Sequence, residues 1–76
     1  MDEGLIEVVK NLEELKRKKD SLFHKMIDYC KTGDIESIES IKPMMEEHHD
    51  IANKYYFELY KQPSKTLKDI KYLLEN

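Results

Sequence analysis

A chain of 76 residues leaves room for one domain, spanning 1–76, and a net charge of −3 with 38% charged residues excludes a generally basic protein that coats nucleic acid. No apolar run approaches the ~20 residues needed to span a bilayer, and the single cysteine, Cys30, has no internal partner for a disulfide. Hydrophobic residues make up 39% of the chain, enough for a small core with little surplus over the ordering entropy of the backbone.

In chain order, the first element is a helix over about 4–31. Leu5, Val8, Leu12, Leu15, Lys19, Leu22, Met26 and Tyr29 recur at alternating three- and four-residue steps, which places them on one helical seam. Asp2 or Glu3 supplies negative charge at the start, Lys31 supplies positive charge at the end, and Gly33 stops the helix by taking left-handed backbone. Asp34 then caps a second helix over 34–61, whose seam reads Ile38, Ile41, Met45, His48, Ala52, Tyr55 and Leu59. Pro43 interrupts it, because proline lacks the amide hydrogen and crowds the preceding turn. A kink or a break there is expected. A third helix over 65–75 follows Pro63, with Ser64 or Thr66 as cap, Asp69 completing a capping box with Thr66, and Leu67, Ile70, Leu73 and Leu74 as its apolar face. The fold class is therefore all-α: an antiparallel helical hairpin with a short third helix packed on it.

Both seams are wide. Ile6, Val9, Phe23 and Ile27 flank the first, and Tyr56 and Tyr60 flank the second, so each helix needs two neighbours. The third helix is expected to cover Tyr56 and Tyr60 through Leu67, Ile70 and Leu74. A second copy could cover the Ile6, Val9 and Phe23 side, making a homodimer. Counting from Gly33, Lys19 and His48 are nearly equidistant from the turn, which predicts that they share one polar layer.

Charge is unevenly spread. Residues 10–31 hold seven bases against four acids and residues 32–53 hold one base against six acids. That pattern points to complementarity between helices or between subunits. Within the basic segment, Lys16, Arg17, Lys18 and Lys25 are the candidate nucleic-acid contacts, although four consecutive helical residues point around the whole circumference and only Lys18 and Lys25 share a face. The competing reading is a solvated face paired with the acidic middle. Tyr55, Tyr56, Phe57 and Tyr60 form an aromatic cluster. Phe57 points away from the seam and, with Tyr56 and Tyr60, is a candidate contact for a protein partner.

No catalytic residue, metal or cofactor is assigned. His48 and His49 are adjacent and diverge on a helix, His24 lies on the outer face of the first helix, and Cys30 has no histidine within the same turn. The acidic opening Met1-Asp2-Glu3-Gly4 does not read as a secretion signal, and the lone cysteine suits a reducing, cytoplasmic setting.

The stretch Met26-Ile27-Asp28-Tyr29-Cys30-Lys31-Thr32-Gly33-Asp34-Ile35-Glu36-Ser37-Ile38, followed by His48-His49-Asp50-Ile51-Ala52-Asn53-Lys54-Tyr55-Tyr56, resembles the small helical proteins encoded beside the UvsW recombination helicase of T4-like phages. The resemblance implies a helicase-associated accessory protein of phage recombination and repair, acting in the host cytoplasm without catalytic activity of its own. It carries no motif from which an active-site residue could be transferred. The expected function is thus a non-catalytic accessory protein in nucleic-acid metabolism, working through a protein partner such as a helicase and through weak single-stranded DNA contact. The alternative is a homodimerising structural or regulatory module with no nucleic-acid role.

Overall fold

The computed structural model describes residues 3–75, which form three α-helices and no strand. They are α1 (Glu3–Thr32), α2 (Ile35–Tyr60) and α3 (Ser64–Glu75). Asp2, the alternative start of the first helix, lies outside the described residues. α1 and α2 pack along one another as a hairpin, and α3 folds back onto α1. The result is an elongated body of 49 × 21 × 17 Å.

The turn is built as its residues require. Gly33 takes φ +75° and its amide donates to the Tyr29 carbonyl at 3.3 Å, closing α1 with a left-handed cap. The Asp34 carboxylate then accepts from the Ser37 amide at 2.7 Å and caps α2. That bond to the charged form holds the Asp34 carboxyl below its ordinary pKa.

α2 runs through Pro43 without a break. The proline leaves the Glu39 carbonyl without its usual helical donor, and both residues are exposed, so water can solvate that carbonyl. The capping box at α3 does not form. Thr66 lies inside the first turn, where its hydroxyl donates to the Pro63 carbonyl at 3.0 Å instead of accepting from the Asp69 amide.

The core sits at one end. Val9 and Leu12 of α1, Tyr55 and Leu59 of α2, and Ile70 of α3 are buried, with Leu5, Val8, Leu15, Leu67, Leu73 and Leu74 packed around them. Lys16 adds a tie between helices, its Nζ donating to the Leu74 carbonyl at 3.0 Å. That bond satisfies one of the carbonyls left open at the end of α3. Lys16 therefore faces α3, and Val9 is a core residue, so Ile6, Val9 and Phe23 do not form one free face for a second copy.

The register differs from the one counted from Gly33. Phe23, not Lys19, meets the His48 ring at 6.0 Å, and Lys19 instead lies over Tyr55, 5.8 Å from its centroid. The chain crosses from one helix axis to the other near the start of α2, whose first turn is exposed, so partners are displaced toward later residues of α2. The α2 seam holds at Ile41, His48, Ala52, Tyr55 and Leu59, which are buried or partly buried, and departs from the expected pattern at two positions. Met44 and Ile51 are partly buried, whereas Ile38 and Met45, expected on the seam, are 52% and 58% exposed.

Candidate functional sites

Three surfaces combine chemistry with accessibility. The first is where sequence placed nucleic-acid contacts. Arg17, Lys18 and Lys25 line one groove between α1 and α2, together with Ser21, Leu22, Glu47 and Ile51. Lys16 does not join them, because it is directed to α3. Glu47 stands in the groove and Lys18 is paired with Glu14 at 3.4 Å, so the cationic character of this surface is largely offset.

The second surface was not legible in the sequence. Lys16, Lys19 and Lys71 border a groove floored by Tyr55, Tyr56, Leu59 and Tyr60, with Leu74 and Glu75 at its edge. Tyr56 and Tyr60 are stacked with their rings 6.3 Å apart and inclined by 20°, and Tyr55 meets Tyr56 edge-on at 5.2 Å. Lys71 Nζ lies 4.8 Å above the Tyr60 ring, within cation–π range. Burial pushes the Tyr55 phenol above its ordinary pKa, and the nearby Lys19 charge opposes that rise. Tyr56 and Tyr60 were expected beneath α3. They remain about half exposed, because the apolar face of α3 packs into the core with Val9, Leu12 and Leu59, and α3 borders the tyrosine groove only along the edge that carries Lys71, Leu74 and Glu75. Periodicity could place Lys71 beside the α3 seam, but no sequence signal pairs it with Tyr60, since that pairing depends on how α3 docks.

Phe57 is on a different face of α2 from Tyr56 and Tyr60, as its spacing predicts. It is 67% exposed, with Lys61 Nζ 5.8 Å from its ring centroid. The three residues proposed as one partner contact therefore belong to two surfaces.

The third surface is at the turn end of the hairpin, where α3 does not reach. Phe23, Met26, Ile27, Cys30, Ile41 and Met45 line an almost wholly apolar groove of about 430 Å³ bordered by Lys31. Cys30 is a free, exposed thiol. Among the described residues, no three His, Cys, Asp or Glu side chains converge to hold a metal ion, and no helix is long and apolar enough to cross a membrane. Comparison with known protein families, curated proteins and solved structures finds no match.

Proposed function

We propose that this protein is a non-catalytic accessory factor in nucleic-acid metabolism that holds single-stranded nucleic acid in the lysine–tyrosine groove. The observation that carries this reading is the half-exposed Tyr56–Tyr60 stack bordered by Lys16, Lys19 and Lys71. A single strand offers a row of phosphates and a row of base faces. Lysines meet the first and aromatic rings meet the second without regard to sequence. Affinity is weak and non-specific, because the chain is net acidic and Glu75 stands at the edge of the groove. The outward Phe57 suits a protein partner such as a helicase, which would supply the catalytic work and bring the strand to the groove.

The test is fluorescence anisotropy of a labelled oligothymidine titrated with protein at several salt concentrations. Lys19 is paired with Asp20 at 3.1 Å and Lys16 is tied to the Leu74 carbonyl, so one to two lysines at phosphates give a log–log salt slope between roughly −0.7 and −1.4. Tyr60→Ala weakens binding by roughly fivefold or more, since one base stack contributes about 1–3 kcal/mol. Lys71→Glu abolishes it and Glu75→Gln strengthens it. Absence of salt-dependent binding at about 100 µM protein, the weak limit of ordinary non-specific affinity, refutes the reading.

A further inference from the structure

We propose that Lys71 is a movable cap on the tyrosine floor: a base of a bound strand displaces its ammonium from the Tyr60 ring, and the ammonium crosses to the neighbouring phosphate. This exchange rests on the single-strand reading and assigns one lysine a motion within it. Of the three lysines that border the groove, Lys16 donates to the Leu74 carbonyl at 3.0 Å and Lys19 is paired with Asp20 at 3.1 Å. Only Lys71 has no oxygen partner among the described residues. Glu75 stands one turn further along α3 and lines the same groove, yet the Lys71 ammonium rests over the Tyr60 ring, 4.8 Å from its centroid.

Atoms of a ring in contact with Tyr60 lie ~3.5–4 Å from it, so a base stacked on that face takes the space in which the ammonium stands. Base and ammonium therefore exclude one another. The other ring contacts of the floor are built into α2: Tyr56 lies one turn before Tyr60 on the same helix, and Tyr55 meets Tyr56 edge-on. Lys71 instead reaches the floor from α3 on a flexible four-carbon stem. Its backbone is held on both sides. Ile70 beside it is fully buried, and the Leu74 carbonyl three residues on accepts from Lys16, so the side chain swings while the helix stays docked. A cation–π contact to a half-exposed ring is weaker than a base stacked on that ring, and the displaced ammonium gains a charge-assisted bond to phosphate. Exchange is favourable on both counts.

The experiment is NMR of the wild-type protein titrated with oligothymidine or with an abasic deoxyribose-phosphate oligomer of the same length. In the free protein the ring current of Tyr60 moves the Lys71 Cε protons upfield of those of Lys65 and Lys68, which are exposed on the same helix. Saturation with oligothymidine brings the Lys71 signal to the position of the other two, and the α3 amides keep their protection from exchange. The abasic oligomer leaves the upfield shift in place and binds roughly fivefold more weakly or worse, since it offers phosphates without a base to stack. In anisotropy, Lys71→Gln makes the salt slope shallower by roughly 0.7, the share of one phosphate on a single strand, so the wild-type advantage falls about fivefold as salt rises tenfold. Four results would each overturn the exchange: oligothymidine bound with Lys71 still shifted upfield, displacement as complete with the abasic oligomer, α3 amides that lose protection on binding, or an unchanged slope in Lys71→Gln. Each of these leaves the single-strand reading standing. Absence of salt-dependent binding by the wild type removes both, so the two failures are told apart.

Discussion

The end of the hairpin that α3 covers and the end near Gly33 are made of the same two helices, with apolar residues at the same heptad positions, yet they bury them differently. At the covered end Leu12 and Ile70 are withdrawn from solvent almost completely. At the turn end, where Met26 occupies the heptad position of Leu12, no residue is fully buried, and Phe23, Ile38 and Met45 are each about half exposed. Two helices in contact cover only the facing strip of each, so a wide stripe stays partly wet until a third helix closes the groove. The number of neighbouring helices, more than the hydrophobicity of any segment, sets where the core lies.

The contrast can be broken most forcefully by mutation of one residue from each end. Ile70→Ala deletes a fully buried side chain of α3 and is expected to cost about 3–4 kcal/mol in urea denaturation, within the usual range for large-to-small changes in a core. Ile38→Ala, half exposed at the turn end, is expected to cost less than about 0.5 kcal/mol. Equal costs at the two ends would show that the core extends further than the helix packing indicates.

A smaller effect of opposite sign is expected from Pro43, which lies in the turn-end half of α2. Pro43→Ala restores the donor to the Glu39 carbonyl and removes the crowding of the preceding turn, so the melting temperature should rise, with a gain of about 1–3 kcal/mol. An unchanged or lower melting temperature would mean that the proline is matched to a bend the packing requires.

The smallest effect is tied to pH. Asp34 has a folded pKa below its ordinary value of 3.8, so the stability its charged form adds is present above that value and is lost as pH falls through the folded pKa. Asp34→Ala should therefore lower the melting temperature slightly at neutral pH, and the gap to wild type should narrow as the pH drops below about 3.8. A gap that persists under acid conditions would assign the effect to something other than the cap's charge.

Much of the architecture was legible in the chain. The three helices, their ends at Gly33 and Pro63, the Asp34 cap and the outward Phe57 follow from local rules: helical period, left-handed glycine, and an aspartate reaching the next amides. The seam of α2 was less so. Ile38 and Met45 fit a seven-residue pattern as well as Met44 and Ile51 do, and their choice depends on how α2 sits against α1, which no single-helix pattern contains. The Lys19–His48 layer was lost for a related reason. Equal counting from Gly33 assumes that the chain crosses between helices at the glycine itself, whereas Lys19 meets Tyr55 and His48 meets Phe23.

By itself the sequence determined which segments are helical, where the chain turns, and that two apolar stripes must find cover, because these depend on residues within a turn or two of one another. Only the tertiary structure decided that α3 closes one end and leaves the other open, that Lys16 ties α1 to Leu74, and that Lys71 comes to rest over Tyr60. Those contacts join residues separated by up to 58 positions, and their partners are set by how the helices slide and rotate against each other as the groove fills.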